Sequence, residues 1–92
     1  MATVQIRLPV LLARLGDGRR DLMVEAEDVR SALEALFSAM PQLRVHILEE
    51  SGAMRRHVNC FLNDRSARSV EAMDAPVGDG DVVTLLQAVS GG

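Results

Sequence analysis

The stretch Glu27-Asp28-Val29-Arg30-Ser31-Ala32-Leu33-Glu34-Ala35-Leu36-Phe37-Ser38-Ala39-Met40-Pro41 decides the fold. Val29, Ala32, Leu33, Leu36, Phe37 and Met40 recur at the three- and four-residue spacing of a helix, which collects them into one apolar stripe. Glu27-Asp28 puts negative charge at the positive end of the helix dipole, and Pro41 stops the helix. A helix with a single stripe buries it against one partner surface, and the flanking sequence supplies a sheet.

On the N-terminal side, Val4, Ile6 and Leu8 alternate with Thr3, Gln5 and Arg7, which predicts a half-buried strand. Gly16-Asp17-Gly18 is a turn signal, and Asp21 to Ala26 reads as a second strand, giving a hairpin-like opening. Pro9 to Leu15 is longer than a tight turn and is expected to be an irregular excursion. On the C-terminal side, Gln42 to Arg56 reads as a loop or short extra turn hinged at Ser51-Gly52. His57 to Asn63 alternates again, with Val58, Cys60 and Leu62 on the inner face and Asn59, Phe61 and Asn63 on the other. Asn63-Asp64 is a turn, Val70 to Pro76 carries a single helical turn, and Asp79-Gly80-Asp81 leads into a last strand, Val82 to Leu86. The order strand, strand, helix, strand, strand suggests a small α+β roll; periodicity does not fix the strand order, and a mixed sheet with the first and last strands adjacent in its centre is the expectation.

Composition bounds the function. A chain of 92 residues with 48% hydrophobic residues folds as one domain, and with only Phe37 and Phe61 as aromatics its core is aliphatic. The net charge is −3, and no basic run exceeds Arg19-Arg20 or Arg55-Arg56, which argues against nucleic acid as a partner. All ten basic residues are arginine, so no lysine amine is present for chain building. Cys60 is the only cysteine, which excludes an internal disulfide and suits a reducing cytoplasm. The apolar run Leu8 to Ala13, flanked by Arg7 and Arg14, is too short to span a membrane and lacks signal-peptide organisation.

The sequence ends in Ser90-Gly91-Gly92, a tail with almost no side chains and a free carboxylate. Glycine reaches backbone angles closed to other residues, so such a tail can thread a narrow channel. Together with the element order, the strand Val58-Asn59-Cys60-Phe61-Leu62-Asn63-Asp64 and the stretch Gly78-Asp79-Gly80-Asp81-Val82-Val83-Thr84-Leu85-Leu86, this end resembles one family over essentially the whole chain. The family is that of the small sulfur carriers of the molybdopterin-synthase small-subunit and thiamine sulfur-carrier type. The loop with Ser51-Gly52 and Arg55-Arg56 is most similar to the branch serving cysteine or natural-product sulfur incorporation. The chain departs from the family at Gln87-Ala88, where members often carry proline, and at Cys60, where a β-branched residue is usual.

The resemblance implies a ubiquitin-like β-grasp domain over residues 1–87, with a mixed sheet of four to five strands on one main helix, and a flexible tail over 88–92. It implies that the Gly92 carboxylate is adenylated by an ATP-dependent, ubiquitin-activating-like enzyme and becomes a thiocarboxylate. That sulfur then passes to an acceptor on a second enzyme, a sulfur-accepting synthase. On this reading the chain is a protein cosubstrate with no catalytic residue, no metal and no bound cofactor, and ATP belongs to the partner. Whether a protease first trims a longer precursor stays open. So do two alternatives: a ubiquitin-like modifier joined to proteins through Gly92, and a β-grasp interaction module with an incidental tail.

The tail Ala88, Val89, Ser90, Gly91 and Gly92 reaches about 17 Å when extended, enough to enter a partner's pocket. Ordering it costs about 1–2 kcal/mol per residue, so the folded body must add docking affinity. Phe61, Thr84 and Leu86 are the expected docking patch, exposed if the last strand pairs beside His57–Asn63 and if Pro9–Leu15 does not fold over them. Arg55, Arg56 and Arg68 are either solvated charges or contacts for acidic partner surfaces. Cys60 reads as a buried small hydrophobe, His46 and His57 lack the spacing of a metal pair, and Asp79 and Asp81 read as turn residues.

Overall fold

A computed structural model describes residues 1–87. Strands β1 (Ala2–Arg7), β2 (Asp21–Ala26), β3 (Val58–Leu62), β4 (Arg65–Ser66) and β5 (Val82–Gln87) form one sheet in the order β2-β1-β5-β3-β4. β1 and β5 run parallel at its centre and every other pairing is antiparallel. Such a pair needs a crossover, and the intervening chain crosses one face of the sheet with helix α2 (Val29–Ala39). This is the expected β-grasp arrangement, with the first and last strands adjacent.

α2 forms where the stripe predicts it. Asp28 accepts from the Ser31 backbone N–H at 2.7 Å, and Ser31 Oγ accepts from the Asp28 N–H at 3.1 Å, a reciprocal cap. Val29, Ala32, Leu33, Leu36 and Phe37 are buried against the sheet, the larger ones contributing about 1.5–3 kcal/mol each. They meet Val4, Ile6, Val58, Cys60, Val83 and Leu85, one residue in two from the central strands.

Two details differ from expectation. Pro9 to Leu15 is not irregular: Val10–Leu15 forms helix α1, with Pro9 as its N-cap. No side chain caps it, so its local signal is weak, and it is held by the burial of Leu12 and Ala13. At its end Gly16 lies so close to Met40 that an added Cβ would stand 2.6 Å from Sδ. The Gln42–Arg56 loop is more structured than a single turn: a 3₁₀ turn over Pro41–Leu43 runs into helix α3 (Arg44–Ile47), and Leu43 and Ile47 are buried. β4, a two-residue strand whose pattern is too short to read, makes the fifth strand of a sheet expected to have four to five. The expected turn near residues 70–76 is a 3₁₀ turn over Ala72–Asp74 that buries Met73 and leaves Val70 exposed.

Candidate functional site

The last described residue, Gln87, ends the strand that leads to the tail; Ala88, Val89, Ser90, Gly91 and Gly92 lie outside the described residues. Sequence and register together fix how firmly that strand is held. β5 is bonded on both sides, to β1 through Val82–Thr84 and to β3 through Val83–Gln87.

Its start is clamped by two loops. In the β3–β4 turn, Asn63 adopts a left-handed φ of 55°, a conformation that Asn tolerates better than most residues. Its backbone N–H donates to the Val82 carbonyl at 2.8 Å, and its side-chain oxygen accepts from the Val82 N–H at 3.0 Å. Its amide nitrogen also donates to Asp81 Oδ1 at 3.3 Å. In the loop before β5, Asp81 Oδ2 accepts from the Gly78 N–H at 2.8 Å, Asp79 accepts from the Thr3 N–H at 2.8 Å, and Gly80 donates to the Thr3 carbonyl at 3.1 Å. Gly80 has φ +87°, which only glycine adopts readily. The Gly78 N–H, and then the Asn63 amide, hold the Asp81 carboxyl below its ordinary value. The paired Asn-Asp and Gly-Asp-Gly-Asp signals therefore serve a structural end, joining the start of the tail-bearing strand to β1 and β3.

Helices cover one face of the sheet and leave the other open. On the open face Phe61 lies opposite Thr84, and Leu86 lies opposite Asn59. The expected docking residues thus share one face of adjacent strands: Phe61 and Thr84 are half-buried and Leu86 is 45% exposed. The register extends their row to Arg7 and Asp21 on one side and Ser66 on the other. Met23, 60% exposed on β2, belongs to the same face and was not among the expected residues, because only the register of β2 on β1 brings it there. α1 does not fold over this face; Leu12 and Ala13 join the core on the opposite side.

The remaining candidates sort plainly. Cys60 is fully buried beside Leu85, and burial pushes its thiol up to about 12, so it stays protonated and unreactive. Arg68 donates to the carbonyls of Val58 at 3.1 Å and Arg55 at 3.0 Å, closing the outer edge of β3 beyond β4. Arg55 donates to the Val45 carbonyl at 2.6 Å, while Arg56 and His57 are exposed. Among the described residues, no three His, Cys, Asp or Glu gather as a metal would require. No helix there is long and apolar enough to cross a membrane.

Known proteins share both sequence and geometry with this chain. The profile of the ThiS family matches residues 11–92. The sulfur carrier protein CysO of Mycobacterium tuberculosis is 30% identical over 92 residues, covering 97% of this chain and 98% of that protein. SAMP1 from Haloferax volcanii superposes with a TM-score of 0.85 at 29% identity, covering 99% of this chain and 100% of that one. A chain of the BexX/CysO complex of Amycolatopsis orientalis superposes with a TM-score of 0.84 at 26% identity, covering 97% and 99%.

Proposed function

The chain belongs to the ThiS family and is a ubiquitin-like sulfur carrier, and from that premise we propose that its working group is the Gly92 carboxylate. A carboxylate is a poor electrophile, since its charge repels nucleophiles and it has no good leaving group. An ATP-dependent adenylating enzyme removes both obstacles: the carboxylate attacks the α-phosphorus of ATP, pyrophosphate leaves, and the acyl group gains AMP as a leaving group. Sulfide, or its equivalent from a persulfide and a thiol reductant, then displaces AMP and leaves a thiocarboxylate. That sulfur is the nucleophile given to an acceptor on a sulfur-accepting synthase. The chain acts as a cosubstrate throughout and binds no cofactor of its own; its place is the cytoplasm, where ATP and reduced thiols are supplied.

The observation that carries this reading is the construction of β5. The strand is bonded to β1 over Val82–Thr84 and to β3 over Val83–Gln87, is clamped at its start, and leads toward Gly92, five residues beyond Gln87 in the sequence. A rigid strand at the centre of the sheet presents the following residues to a partner from a fixed base. The open face with Phe61, Thr84 and Leu86 lies along that same strand and its neighbour, and supplies the docking affinity that offsets ordering of the tail. That a CysO chain is found in complex with BexX supports a protein partner for this chain too.

The test is the C-terminal peptide of the chain after incubation with ATP and extract of its own host. Sulfur exchange and methionine oxidation give nearly the same nominal mass shift, and the chain has five methionines. The peptide is therefore fragmented, and the intact chain is treated with an alkylating agent selective for thiocarboxylates. Sulfur on Gly92, absent from a Gly91-Gly92 deletion, is the expected result. An unmodified terminus would overturn the reading, and a terminus joined to lysine amines would replace it with a protein modifier.

A further inference from the structure

The net charge of −3 conceals a separation of charge along the strands. At the end where β1 and β5 begin, Glu25, Glu27, Asp64, Asp79 and Asp81 crowd the loops, with Arg65 nearby and Arg30 already paired to Asp74. At the other end, where the chain continues beyond Gln87, the pattern reverses. On the β1 side, Arg20 donates to the carbonyl of Leu8, the residue after Arg7, which itself pairs with Thr84. On the β3 side, Arg68 bonds the carbonyl of Val58, the partner of Gln87, and Arg56 stands exposed two residues before Val58. Asp17 and Asp21 at this end pair with Arg19 and Arg7, with Asp21 also feeling the charge of Arg20, while Glu49 and Glu50 share a groove with Arg55 and with Arg44, which itself pairs with Glu34. Among the described residues Arg20, Arg56 and Arg68 have no carboxylate within ion-pair distance.

Arginines therefore flank the tail-bearing strand on both sides: Arg20, which shares Asp21 with Arg7, over the end of β1, and Arg56 and Arg68 beside the start of β3. A six-residue strand is about 20 Å long, against a screening length of about 8 Å in physiological salt, so a partner at one end senses the local charge and not the net. We propose that Arg20 and Arg56, backed by Arg68, form a docking collar for an acidic rim around the channel through which the adenylating enzyme takes the tail. The collar rests on the sulfur-carrier reading above and adds the chemistry of the partner's surface. An acidic rim attracts this end and repels the opposite one, so it orients the carrier tail-first before any apolar contact is made.

The test uses the adenylating enzyme of the chain's own host, purified by following ATP–pyrophosphate exchange that depends on this chain. Its kcat/KM for the carrier is measured with the wild type, with Arg20→Glu/Arg56→Glu, and with Arg20→Gln/Arg56→Gln. Glutamine is shorter than arginine but places an amide nitrogen where arginine has Nε, keeping a donor for the Leu8 carbonyl, so this variant carries the test even if the double glutamate misfolds. At about 0.01 M salt the glutamate pair is expected to lower kcat/KM by at least about 10-fold and the glutamine pair by about 3-fold, with both gaps closing near 1 M. Asp64→Asn, at the far end, is expected to change it by less than about 2-fold. Equal values for all folded variants, or a faster glutamate pair, would overturn the collar while wild-type exchange keeps the carrier reading intact. No exchange with wild type would remove both.

Discussion

Asn63 offers the sharpest check on how the tail-bearing strand is anchored. Replacing it with alanine removes the side-chain bonds to the Val82 N–H and to Asp81 Oδ1 and forces a residue with a Cβ and no compensating polar group into φ 55°. The left-handed conformation costs an ordinary residue about 1–2 kcal/mol. The two lost hydrogen bonds together add about 0.5–1 kcal/mol, the low end of their range because Asn63 is exposed and water replaces part of them. The expected total is about 2 kcal/mol, which for a domain of this size lowers Tm by roughly 8–16 °C. Asn63→Gly loses the same hydrogen bonds without the conformational cost, so glycine should be the milder substitution. That ordering is the reverse of an ordinary helical position such as exposed Ser38 in α2, where glycine should be worse than alanine by about 1 kcal/mol. The chain has no Trp or Tyr, so unfolding in urea and by heat is followed by far-ultraviolet circular dichroism. If alanine equals or exceeds glycine in stability at Asn63, the backbone argument is wrong.

Three further expectations follow from the same contacts. Asp81 is held below its ordinary 3.8 in the folded state, so as pH falls toward and through its folded value the unfolded chain binds more protons and stability drops; it is fully present above about pH 4, and Asp81→Asn should flatten that acid limb of a urea-midpoint-against-pH curve. Cys60 shifts the other way, from 9.0 to about 12, so between those values the unfolded chain loses its proton first and stability falls as pH rises; at pH 8 iodoacetamide should label Cys60 only in denaturant, and rapid labelling of the native protein would contradict its burial. Leu86→Asp should lower stability by about 1–2 kcal/mol, because the side chain is only 45% exposed and Asp suits a paired strand poorly, and raise KM of the still-folded carrier several-fold by removing about 1 kcal/mol of contact area; an unchanged KM would take the open face out of docking.

What could be read from sequence was what depends on near neighbours. The stripe from Val29 to Met40 and its Asp28 cap act within a few residues, so α2 appears where its periodicity puts it. The alternations in β1, β2, β3 and β5 separate core from surface on each strand, so Val4, Ile6, Cys60, Val83 and Leu85 are buried as their phase requires. Placing Phe61 and Leu86 on one face needed only their phase and the guess that β3 pairs with β5. α1 escaped the same reasoning because its six residues have no side-chain cap and no full period, and burial of Leu12 and Ala13 holds it.

The sequence by itself determined α2 and the strands β1, β2, β3 and β5, their inner and outer faces and the tail, since each follows from periodicity and conformational preference along the chain. Tertiary structure alone decided what stands beside the exit of β5. Arg20 reaches it from the β2 side through Leu8, and Arg56 and Arg68 through β3, by a strand order and register that long-range pairing sets. It likewise decided that Asn63 clamps Val82 and that Met23 joins the open face. No local pattern encodes such meetings, because the energy that makes them comes from burying one stripe of α2 on a sheet whose strands lie far apart in the chain.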